Sequence, residues 1–146
     1  MPEFSEDVQQ KFVLYQLLNQ RLEQIKQHAT IIQQKMVEVE TTRFALGEMK
    51  SIKDTKEILI PLGSGFYTEG KSTPTTKILV DLGAGVLAKK SIEDANVFIE
   101  KKKKEIEDAV QMLQMEANAI TGKLGEIVPE LQKAAEDAQE SEGGAS

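Results

Sequence analysis

Cysteine is absent from the 146 residues, which removes disulfides, thiol nucleophiles and thiolate metal sites. There is one histidine, His28, so no two-histidine metal site or relay can form within one chain. Tryptophan is also missing, and Phe and Tyr together make only 5%. That is little ring area from which to build a compact globular core. No apolar run approaches the roughly 18 residues that read as a membrane span. Lys and Arg are outnumbered by Asp and Glu, 18 to 24, which argues against duplex nucleic acid as the main partner, because phosphate binding draws on excess positive charge. The start, Met-Pro-Glu-Phe-Ser, has no basic-then-apolar layout. A secreted form is therefore not expected, and a cytoplasmic location is. The acids fall on outer helical faces rather than in one pocket. No catalytic residue, metal site or cofactor is expected, and the chain does not read as an enzyme.

What is present is heptad order. The chain reads as one domain, 1–146, in four parts: a helix over 5–50, short strands over 55–90, a second helix over 91–139 and a disordered tail over 140–146. Ser5 is a good N-cap, and Glu6 and Asp7 follow it in the first turn, where the helix dipole favours acids. One seam row is Val8, Tyr15, Leu22, Ala29, Met36, Arg43; the other is Lys11, Leu18, Ile25, Ile32, Val39, Leu46. Ten of these twelve are apolar, a heptad sustained over nearly six repeats. In the second helix, capped by Ser91, the rows are Ile92, Ile99, Ile106, Leu113, Ile120, Ile127, Ala134 and Asn96, Lys103, Val110, Ala117, Leu124, Leu131, Ala138. Twelve of these fourteen are apolar. Pro129 is expected to kink this helix, because it removes a ladder donor and crowds the preceding turn. Each helix would span roughly 70 Å at about 1.5 Å per residue. Neither can bury its stripe alone. The economical solution is an antiparallel coiled-coil hairpin with Leu46 near Ile92 and Val8 near Ala138.

Between the helices, Glu57–Leu62, Phe66–Glu69, Lys77–Leu82 and Val86–Lys90 read as four strands. The turns Gly63-Ser64-Gly65 and Gly83-Ala84-Gly85 fold them into two hairpins. Isolated hairpins are marginal in water and leave open edges. Ile58, Ile60, Phe66, Ile78 and Val80 need a partner that a thin helical rod cannot supply. With Leu62, Tyr67, Leu82 and Val86 they form the candidate oligomer interface, where strands are expected to pair with those of other subunits. The fold class is α+β, predominantly α.

Gly65-Phe66-Tyr67-Thr68-Glu69-Gly70-Lys71-Ser72 matches the phosphate-loop pattern letter for letter. The context opposes it. A phosphate loop opens onto a helix N-terminus whose free N–H groups hold the anion. Here Phe66-Tyr67-Thr68 reads as strand, and Pro74 with a Thr-rich stretch follows. Lys101–Lys104 is flanked by Glu105, Glu107 and Asp108 and reads as a solvated helical face. Phe4, Val8 and Phe12 begin helix one; Ile127, Val128 and Leu131 lie toward the end of helix two. Either they simply continue the seam or they form an apolar grip for other chains. Small Ala134 and Ala138 opposite Val8 and Lys11 suggest helix ends that splay easily.

Helix, two hairpins, helix, at these lengths, resembles prefoldin, and specifically its α-class subunit. The likeness is carried by Ile60-Pro61-Leu62-Gly63-Ser64-Gly65-Phe66-Tyr67 with Gly70-Lys71, and by Val80-Asp81-Leu82-Gly83-Ala84-Gly85 with Glu93-Asp94-Ala95. It covers about residues 5–135. The resemblance implies a hetero-hexamer of two α-like and four β-like subunits whose strands build β-barrels. It implies capture of non-native client proteins without ATP, and transfer to a group II chaperonin. Its partners would be a β-like subunit, a second copy of the chain, clients and the chaperonin, with neither nucleic acid nor membrane. A structural coiled-coil scaffold and a filament-forming homologue are the alternatives.

Overall fold

The computed structural model describes residues 4–144. Its elements are α1 (Glu6–Ser51), β1 (Lys56–Gly63), β2 (Phe66–Ser72), β3 (Lys77–Asp81), β4 (Leu87–Ser91) and α2 (Ile92–Gly143). The strands form two separate antiparallel sheets, β1 with β2 and β3 with β4. By packing, the chain divides into a middle unit, Gln34–Ile106, and a terminal unit, Met1–Gln33 with Glu107–Ser146.

Both helix starts follow from their caps. Ser5 Oγ accepts from the Val8 N–H at 3.3 Å, and Ser91 Oγ accepts from the Asp94 N–H at 3.0 Å. Ser91 is also the last residue of β4, so strand passes into helix with no loop between.

In the middle unit, Val39, Leu46, Ala95 and Ile99 make the buried core, and Ile78, Val80 and Ile106 pack against it. Two expected interface residues, Ile78 and Val80, thus find a partner within their own chain. The reason is alternation: Ile78 and Val80 share one face of β3, and that face lies on the helices, while Leu79 between them stays 59% exposed. In the terminal unit the buried residues are Ile25, Ile32, Ile120 and Ile127. The seam rows hold with small departures. Ala29 is exposed, and Ala95, not Asn96, is the buried residue of its turn. Val110 is exposed while Ala109 is half-buried, a drift expected because 3.6 residues per turn does not divide seven.

Each charged residue of the seam rows pairs across to the other helix. In the middle unit Arg43 reaches Glu100 on α2, and Lys103 on α2 reaches Glu40 at 3.0 Å. In the terminal unit Lys11 reaches Glu130 at 2.6 Å. Each unit is therefore an antiparallel helix pair with its register marked by ions.

Helix α2 is not ended by Pro129. The proline ring crowds the carbonyl four residues back, which belongs to Gly125, and a side chain there would meet nothing within 4 Å. The backbone has room to adjust. The helix also continues through Glu140–Gly143, residues the sequence places in the tail. Gly144 N–H closes it by donating to the Glu140 carbonyl at 3.0 Å. The remainder of that tail lies outside the described residues.

Candidate functional site

Among the described residues no polar or charged residue is buried, and no group of His, Cys, Asp or Glu is arranged to hold a metal ion. What the chain presents instead is exposed apolar surface, and two places gather it.

The first is the pair of hairpins. The register sets Ile58 opposite Gly70 and Ile60 opposite Thr68 on β1 and β2. A Cβ on Gly70 would lie 2.7 Å from Ile60 Cδ1. Bare backbone at Gly70 is what lets Ile60 lie down across the strand pair. Nothing covers the result: Ile58, Ile60, Leu62, Phe66 and Tyr67 are all exposed, as are Leu82 and Val86 of the second hairpin. Leu59 and Leu79, which the sequence reading passed over, are among the most exposed, at 66% and 59%. Strict alternation singles out Ile58, Ile60, Ile78 and Val80 on one face, but both faces of β1 are apolar.

The two hairpins are copies displaced by 20 residues in sequence: Ile58-Leu59-Ile60 with Ile78-Leu79-Val80, and Leu62-Gly63-Ser64-Gly65 with Leu82-Gly83-Ala84-Gly85. Their turns share one backbone path, with φ of 108°, 51° and 82° at Gly63, Ser64 and Gly65 and 102°, 52° and 74° at Gly83, Ala84 and Gly85. That spacing is legible in the sequence. Gly65–Ser72, the stretch that imitates a phosphate loop, is a turn followed by strand β2, with Lys71 opposite Glu57. Its amides are committed to a ladder, not gathered at a helix start.

The second place is a groove in the terminal unit, about 370 Å³ in volume, lined by Phe4, Val8, Phe12 and Tyr15 from one side and Val128, Leu131, Gln132 and Ala135 from the other. The Phe12 and Tyr15 rings are stacked with centroids 6.4 Å apart. Five of the six residues singled out from the sequence meet here. The sixth, Ile127, is buried at 8% exposure and does not line the groove. Tyr15 was read only as a seam residue; its place one turn beyond Phe12 was the available signal.

The electrostatics around the groove are those of exposed ion pairs. Lys11, at the groove's edge, donates to Glu130 and to Asp7 at 2.9 Å. These bonds hold its ammonium above the ordinary lysine range. Lys11, the charged member of its seam row, is thus ion-paired across to α2. Arg21 grips Glu116 with two parallel bonds of 2.6 and 3.1 Å, which raises the guanidinium and lowers the carboxyl. In the middle unit, hydrogen bonds from Lys103 and then Arg43 hold Glu40 below its usual value.

The prefoldin subunit family model matches residues 18–137. The prefoldin subunit alpha of Thermofilum pendens is 30% identical over 113 residues, 77% of this chain and 88% of that protein. The prefoldin subunit alpha of Pyrococcus horikoshii is 29% identical over 82% of this chain and 81% of that protein. Among solved structures, filamentous PFD from Methanocaldococcus jannaschii aligns with a TM-score of 0.68 at 19% identity, covering 84% of this chain and 98% of that one. The prefoldin beta subunit from Thermococcus strain KS-1 aligns with a TM-score of 0.57 at 18% identity, covering 92% and 96%.

Proposed function

The chain belongs to the prefoldin family, and from that premise we propose that it holds non-native polypeptides against the groove between its helix ends. The family is one of non-enzymatic chaperone subunits, and its closeness here is to alpha subunits. The observation that carries the holding role is the groove itself: Phe4, Val8, Phe12, Val128 and Leu131 converge on one open volume without a covering element. Apolar burial contributes about 25 cal/mol per Å², so one groove holds a segment weakly and releases it readily. Several grooves on one particle raise the net hold by effective concentration.

Assembly follows from the hairpins. Two-stranded sheets leave an open edge on every strand. We place other subunits on those edges: a second copy and β-like subunits, two α-like to four β-like, with the strands closing into barrels. Transfer of the client to a group II chaperonin, in the cytoplasm, completes the reading.

The test is a denatured-client aggregation assay beside size exclusion. Replacing Phe4, Phe12 and Val128 together by Ser keeps the particle size and loses suppression of aggregation. Full suppression in that variant overturns the groove as the holding surface. Lys71→Ala leaves suppression unchanged. A second reading, a filament rather than a closed particle, is favoured by the fold likeness to a filamentous PFD. Native mass spectrometry with and without a co-expressed β-like subunit separates the two.

A further inference from the structure

We propose that the groove selects segments combining an apolar stripe with Lys and Arg and discriminates against acidic segments; this rests on the groove being the holding surface. Charge is unevenly shared along the chain. The terminal unit carries 13 Asp and Glu against five Lys and Arg, whereas the middle unit carries 11 against 13. Two of the five bases are already engaged, Lys11 by Asp7 and Glu130 and Arg21 by Glu116.

Part of the surplus follows directly on the groove's α2 wall in sequence. Its α2 wall steps along one helical face through Val128, Gln132 and Ala135, and steps of four and three residues continue that face to Gln139 and Glu142. Beyond the wall, Glu136, Asp137, Glu140 and Glu142 follow with no base among them. Among the described residues no ion pair engages these four.

This arrangement works against the helix that carries it. The carbonyl end of a helix is its negative pole and favours cations. Helix α1 obeys, with Lys50 in its last turn; α2 has no base in its last turn. Glu136 and Glu140 add a like-charge pair at i,i+4. Lys133 stands three and four residues before Glu136 and Asp137, but the last turn itself has no base, and a ligand that brings positive charge there supplies what that turn lacks. An amphipathic segment with Lys or Arg flanking its apolar residues fills the groove and meets the acids together. An acidic segment of equal hydrophobicity meets the pole, Glu142 on the groove's own face and the net negative field of the unit.

The experiment uses the full chain in its assembled form and three fluorescein-labelled peptides. They share one set of Leu and Phe positions and carry Lys, Gln or Glu at the polar positions. At about 0.05 M salt, fluorescence anisotropy is expected to rank them Lys, Gln, Glu, with about tenfold between first and last, the sum of two or three exposed pairs. At about 0.5 M salt the spread should collapse, since the screening length falls to a few ångströms. Changing Glu136, Glu140 and Glu142 to Gln and Asp137 to Asn should bring the Lys peptide to the Gln peptide's affinity. Equal affinities for all three peptides at low salt, with binding still lost in Phe12→Ser, overturn the charge selection and leave the groove reading standing. Binding that Phe12→Ser does not weaken overturns the groove reading itself.

Discussion

Gly63 and Gly83 sit at φ of 108° and 102°, beyond the left-handed region that Ser64 and Ala84 reach in the same turns. A side chain at either glycine has space around it but not the backbone. Gly83→Ala is therefore expected to cost the second hairpin about 1–3 kcal/mol, seen as faster amide exchange over Lys77–Asp81 with helical circular dichroism unchanged. Glu40 and Glu116 set a different residue-scale expectation. Both have folded pKa values held below 4.5 by partner cations. Their stabilisation is complete above the unfolded value near 4.5 and is lost as pH falls through the lowered folded value. Both pairs are exposed, so the effect is modest. Glu40→Gln with Glu116→Gln should flatten the acid side of a stability–pH curve below about pH 5. An unchanged acid limb would mean that neither carboxyl is differentially held in the folded chain.

At the scale of an element, the helix pairs trade stability for register. Arg43 and Lys103 occupy seam positions that apolar residues would fill more favourably, and their acids lie across the seam. Ionic pairs at such positions are best explained as devices that fix alignment. Arg43→Leu with Lys103→Leu should raise the melting temperature. Glu40→Leu alone should lower it modestly, because Lys103 and Arg43 both lose an acceptor in an exposed pair. Thermal melts of the two variants read opposite signs if the pairs set register at a stability cost. Ile99, buried in the core with Val39, Leu46 and Ala95, has no such dual role. Ile99→Ala should cost about 2–5 kcal/mol.

For the molecule as a whole, assembly is where apolar exposure has its consequence. Leu59 and Ile60 present apolar side chains on opposite faces of β1. Leu59→Asp with Ile60→Asp should disperse the particle to smaller species on size exclusion while helical circular dichroism stays near its full value. Val80→Asp should both disperse it and lower the melting temperature, because Val80 also packs on the chain's own helices. Equal melting temperatures for the two variants would remove the distinction between the hairpins.

The heptad rows, the two serine caps and the paired Gly-X-Gly turns determined by themselves that this chain is two long helices around two hairpins. Period and cap are local chemistry, written in consecutive residues. The mimicry of a phosphate loop could be rejected on the same ground, because Phe66-Tyr67-Thr68 has strand character whatever surrounds it. Other features were not local. That Ile78 and Val80 pack on the core of Val39, Leu46, Ala95 and Ile99 depends on which face of β3 meets the helices, and alternation alone gives both faces equal standing. That Ile127 is buried while Val128 opens into the groove depends on one residue's rotation, about 100° on a 3.6-residue turn. Lys11 is a lone charge in a row of apolar neighbours. Its partner Glu130 comes from the other helix, and an ion pair between residues so far apart in sequence exists only once the chain has folded.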